Sequence, residues 1–180
     1  IPSNGKYNFN LGFDPYIGNV RELKRILQLF DLDYTILSDN ADAFDSPNTG
    51  DFQMYNGLTS LDETADSINA EGSFFFQKYT TPKTQEYIEK EWDQETFNFR
   101  PFGIRGTDEF LTKLSEISGK PVPQELVEER GRAVDAMTDS QAWIHGKRVA
   151  IYGDPDHVFG LVNFLLELGA EPIHIVVSNS

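Results

Sequence analysis

Two aspartates, Asp135 and Asp139, are the residues whose type and spacing offer the clearest chemistry in this chain. They stand four positions apart inside a long stretch of helical pattern. At about 100° per residue they fall roughly 40° apart, one turn from each other. Paired carboxylates on one helix face can hold a hard cation. Calcium takes about 6–8 oxygens, so two side chains would need waters or a second subunit to complete the shell. The plainer reading is a solvated face. The apolar positions Leu126, Ala133, Met137 and Ile144 gather roughly 180° away, so the carboxylates point away from the helix's own core. Gly131 and Ala142 leave the same face bare, and Trp143 edges it at about 80°, a pattern that suits contact with another chain.

The other candidates are weaker. Gly153-Asp154-Pro155-Asp156 sits where a nucleotide-binding α/β protein carries its phosphate loop. The glycine spacing of a dinucleotide fingerprint is missing, and two aspartates at a helix start repel a pyrophosphate. Asp154 reads as a helix cap and Pro155 as the first helical residue. Of the three histidines, His145 stands at a helix end, where a cation is favourable. His174 alternates with apolar neighbours and reads as a hydrogen-bonded core residue. Neither these nor His157 has the spacing of a metal site or a nucleophile triad. There is no cysteine, so these residues provide no disulfide, thiolate nucleophile or cysteine ligand to an iron–sulfur cluster.

The elements that must position these groups alternate. Tyr7–Leu11 reads as a strand, followed by a turn-rich stretch over 12–19. Val20–Phe30 carries Leu23, Ile26, Leu27 and Phe30 at helical spacing, and Tyr34–Leu37 reads as a second strand. The acidic stretch 39–59, with Pro47, Gly50 and Gly57, reads as a long loop. Ser60 and Glu63 stand at capping-box spacing, with Leu61, Ala65 and Ile68 on one face of the helix that follows. Ser73–Gln77 contains three consecutive phenylalanines, as in a strand covered on both sides. Thr81-Pro82 opens a helix to about Trp92, Phe97–Phe102 is a weaker strand, and Thr107 caps a helix that Gly119 ends. Pro123–His145 is the longest helix. Arg148–Tyr152, Pro155–Leu168 and Pro172–Val177 then form one βαβ unit.

This order predicts an α/β fold: a Rossmann-like parallel sheet flanked by helices, with the start of a second Rossmann-like unit at the C-terminus. The expected division is 1–103 as an α/β domain, 104–146 as a helical connection, and 147–180 as the first βαβ unit of the next domain. Both ends look cut, since the chain opens on Ile1 and its last strand stops abruptly. With 39% hydrophobic and 13% aromatic residues, the chain can bury a core. Its net charge of −14 repels phosphate backbones and anionic lipid, which argues against nucleic acid and membranes as partners.

The run ERGRAVDAMTDSQAWIHGKRVAIYGDPD, from Glu129 to Asp156, resembles the β chains of the nitrogenase molybdenum–iron protein family. LGFDPYIGNVRELKR, DYTILSD, FDSPNTG, TPKTQEYIEKEW, GTDEFLTKLSEISGKPVP and FLLELGAEPIHI are similar as well, in order along the whole chain. The resemblance implies a subunit of three Rossmann-like domains in a cytoplasmic α2β2 tetramer. The α and β subunits share an eight-iron, seven-sulfur P-cluster, fed by an ATP-hydrolysing iron protein. Dinitrogen is reduced to ammonia at an iron–molybdenum cofactor in the α subunit.

By the same resemblance, the β-chain cysteines that hold the P-cluster lie upstream of this segment, so no cluster ligand carries over and the piece alone catalyses nothing. It further implies that Asp135 and Asp139 ligate a cation, calcium or iron, between the two β subunits. The remaining ligands would come from the second β chain. Related readings are a vanadium or iron-only nitrogenase β-type subunit, a dark-operative protochlorophyllide reductase subunit, or a cofactor-assembly scaffold. A free-standing α/β binding module is the reading from another class. The GDPD turn and SQAWIHGK favour the molybdenum enzyme.

Overall fold

A computed structural model of the chain describes residues 3–12, 16–37, 39–47, 50 and 58–178. They form two compact units, 1–98 and 99–180. The fold is mixed α/β with parallel sheets, as the alternation of elements predicts.

In the first unit, β1 (Tyr7–Asn10), β2 (Tyr34–Leu37), β3 (Gly72–Phe75) and β4 (Glu95–Asn98) form one parallel sheet in the order β2-β1-β3-β4. The registers pair Tyr7 with Tyr34 on one side and with Gly72 on the other. Both inner strands are covered on two faces, which is why β3 reads as an apolar run rather than an alternation. One face carries an aromatic stack: Phe74 lies 4.7 Å from Phe9 and 4.8 Å from Phe97. The other face carries a buried polar cluster beside Phe75. Asn8 donates to Ser67 O (2.8 Å), Ser73 Oγ donates to Gln94 Oε1 (2.9 Å), and Gln94 Nε2 donates to the carbonyls of Ser67 and Ile68. Buried polar groups hydrogen-bonded in this way define one register, because sliding a strand would break these bonds, although the Asn8 Oδ1 itself has no partner among the described residues.

Helix α1 (Ile17–Leu29) buries Val20, Leu23 and Leu27 and starts three residues before the expected position. A one-turn helix, α2 (Ala41–Phe44), interrupts the stretch expected as loop; the residues around it at 48–49 and 51–57, Gly57 included, lie outside those described. Helix α3 (Leu61–Asp66) has the expected capping box, with the Ser60 and Glu63 side chains and backbones exchanging hydrogen bonds. Of Leu61, Ala65 and Ile68, expected on one face, Leu61 and Ala65 are exposed and Ile68 is half-buried. A 3-10 turn at Ser67–Asn69 shifts the helical phase and turns Ser67 inward to the polar cluster instead. Helix α4 (Pro82–Glu91) begins at the expected proline, but the Thr81 hydroxyl does not cap it; it donates to Gln77 O at 2.7 Å.

In the second unit, helix α5 (Gly103–Ser118) buries Phe110, Leu111 and Leu114 and ends at Gly119 in the left-handed region (φ 66°), as expected. Helix α6 (Gln124–Ile144) follows. Strand β5 (Arg148–Gly153), helix α7 (Pro155–Glu167) and strand β6 (Glu171–Val177) form a parallel βαβ unit around Ile151, Val158 and Val162.

The weak strand expected over 97–102 ends at Asn98, and α5 starts four residues before Thr107. A tight turn, Phe102 N–H to Arg100 O (2.8 Å) around Pro101, leaves the strand direction. Gly106 lets that turn approach, because a Cβ there would overlap Arg100 O. The α5 N-terminus is capped from a distance: the Glu167 carboxylate accepts from the N–H groups of Ile104 (2.7 Å) and Arg105 (2.9 Å).

Residues 100–105 thus run as a strap along one face of α7. Arg100 stands 3.5 Å from the buried Asp156 carboxylate and 5.8 Å above the Phe159 ring. Phe102 meets the His157 ring edge-on, and Glu167 takes the amides that follow. Asp156, Gly160 and Glu167 lie within about 40° of one another around the helix, so they form a single track. No described helix is long and apolar enough to cross a membrane.

Candidate functional site

Helix α6 is unusual for its length: of 21 residues only Leu126 is buried. The side expected to face the core is covered only in part. Met137 and Ile144 are half-buried, while Ala133 is exposed, so the apolar stripe alone does not seat the helix. The Arg130 guanidinium ties it to α5, donating Nε–H and Nη2–H to the two oxygens of Asp108 at 2.8 and 2.9 Å, a planar fork that fixes orientation as well as distance.

Asp135 and Asp139 project from the outer side, both exposed and one turn apart on α6. Neither takes part in an ion pair or hydrogen bond among the described residues, in contrast to Asp108, Glu109 and Glu167 nearby. Gly131 leaves open space beside them, and Trp143 is 80% exposed, a large aromatic left in water. Two unpaired carboxylates at i and i+4 give a hard-oxygen donor set that fits part of a calcium-type shell and leaves the rest to another source. No group of three or more His, Asp or Glu able to hold a metal occurs among the described residues. The pair is therefore half a site at most.

The GDPD turn acts as a helix start, as expected. Asp154 accepts the Asp156 N–H at 3.0 Å, and Pro155 occupies the first helical position. With the Asp156 carboxylate buried behind it, the α7 N-terminus meets the chain's own negative charge, which disfavours a phosphate. His157 sits 3.7 Å from the Asp154 carboxylate and against Phe102. His145 donates its backbone N–H to Gln141 O at the α6 terminus. The expectation that His174 lies in the core is wrong: it is exposed on β6, whose only described strand neighbour is β5.

Three contacts carry no clear mark in the sequence: Glu167 capping α5, the Arg100–Asp156 pair and the Gly160 seat for Phe102. Each joins residues more than fifty positions apart, and the only local signal was Pro101-Phe102-Gly103 breaking the strand pattern.

Comparison with known proteins gives this fold and site a family context. Residues 2–180 match the family model described as nitrogenase component 1 type oxidoreductase. The chain is 61% identical over 178 residues to the nitrogenase molybdenum-iron protein beta chain of Crocosphaera subtropica, covering 99% of this chain and 35% of that one. It is 48% identical over 180 residues to the protein of the same name from Azotobacter vinelandii, covering 99% and 34%. The solved structure "Nitrogenase Cp1 at pH 6.5" superposes with a TM-score of 0.92 at 36% identity, over 99% of this chain and 39% of that one. The chain thus spans about a third of the length of the curated relatives it matches.

Proposed function

The chain belongs to the nitrogenase component 1 type oxidoreductase family, and from that premise we propose that it is an internal scaffold and subunit-interface segment of a molybdenum–iron protein β chain. The assembly it serves reduces dinitrogen to ammonia. Its partners in this reading are an α subunit, a second β subunit and an ATP-dependent iron protein. The 180 residues offer no thiolate, so the P-cluster would be held by other parts of the β chain and the iron–molybdenum cofactor by the α subunit. In the same reading 1–103 is one Rossmann-like domain, 104–146 a helical connection and 147–180 the opening of the next domain. The cytoplasm is the proposed compartment.

The observation that carries the interface role is α6, a 21-residue helix with one buried residue, two unpaired carboxylates and a Trp143 left 80% exposed. Asp135 and Asp139 would hold a calcium or iron ion shared with the second β subunit, which supplies the remaining oxygens. Such an ion neutralises carboxylates that would otherwise repel across a symmetric contact. The test is elemental analysis and sedimentation of the intact assembly with Asp135→Asn/Asp139→Asn in its β chain. The expected result is loss of one cation per β chain, two per symmetric β–β contact, and dissociation at higher protein concentration than the parent. Unchanged cation content with unchanged sedimentation would refute the assignment.

A further inference from the structure

We draw no further inference here: the strongest candidate, the open groove between α5 and α6 floored by Val134, Met137 and Leu168, has rim charges already paired with one another (Arg130 with Asp108, Arg105 with Glu109), and nothing in the structure shows what covers it.

Discussion

Replacing Gly160 and Gly131 by alanine, one at a time, makes the same chemical change in two helices with opposite expected signs. Both glycines sit inside helices, where alanine is favoured by about 0.5–1 kcal/mol. At Gly131 a Cβ meets nothing within 4 Å, so that gain stands alone. At Gly160 the new Cβ would lie 2.5, 2.7 and 3.0 Å from three atoms of the Phe102 ring. Carbon atoms rest at about 3.5–4.0 Å, so the ring must retreat by roughly 1 Å. It has little room to do so. His157 flanks the ring, and the next residue leads directly into the amides held by Glu167. Overpacking of this kind costs about 1–3 kcal/mol. The net for Gly160→Ala is then a loss of about 0–2.5 kcal/mol, against a gain of up to about 1 kcal/mol for Gly131→Ala. Urea unfolding followed by far-UV circular dichroism, with hydrogen exchange on α7 peptides to assign the transition, measures both. A Gly160→Ala chain as stable as Gly131→Ala would show that the strap yields freely, and the packing argument for residues 100–105 would fail.

Removing the distant cap should also loosen α5. Glu167→Ala leaves two helix-end amides without their acceptor and should cost about 1–2 kcal/mol, with Glu167→Gln milder because one oxygen remains; equal stability of both variants to the parent in urea would sink the idea. Phe74→Ala, at the centre of the aromatic stack, should cost about 3–5 kcal/mol and broaden or abolish the first unit's transition. The Glu63 carboxylate is held below its ordinary pKa, chiefly by the Ser60 backbone N–H and then by the Ser60 hydroxyl. Its folded value is depressed, so its contribution is fully present above the unfolded pKa and fades as pH falls through the folded one. Glu63→Gln should therefore narrow the stability difference between neutral and acid pH, and a parallel pH profile for parent and variant would count against the capping box as its source.

What could be read from the sequence was governed by neighbours in the chain. The alternating strands and helices, the Ser60–Glu63 box, the Asp154-Pro155 start and the Gly119 stop are all signalled within a few residues. The misplaced features depend on contacts between distant segments. Helix α5 starts at Gly103 because Glu167 is there to accept its amides, and no local residue announces that. Leu61 faces water because Ser67, which answers to Asn8 and Gln94, takes the inward place. For the carboxylate pair, helical angle placed Asp135 and Asp139 together and away from the apolar side. It could not tell how much of that apolar side would be covered, since that depends on how far α5 extends beneath α6. Nor could angle alone distinguish a solvated face from an interface.

The parallel sheet of the first unit also has a consequence in time. One of its two inner strands, β1, is synthesised before either of its partners, yet it pairs on one side with Tyr34–Leu37 and on the other with Gly72–Phe75. At about 5–20 residues per second, the wait between making Tyr7 and making Gly72 is on the order of 3–13 seconds. During that wait the Phe9 side chain lacks the Phe74 ring that will cover it. A half-built parallel sheet cannot close locally as a hairpin would, because its crossovers must be completed first. The nascent chain is therefore expected to pass through a period in which an aromatic strand edge is open to chaperones, or to its neighbours on the same polysome.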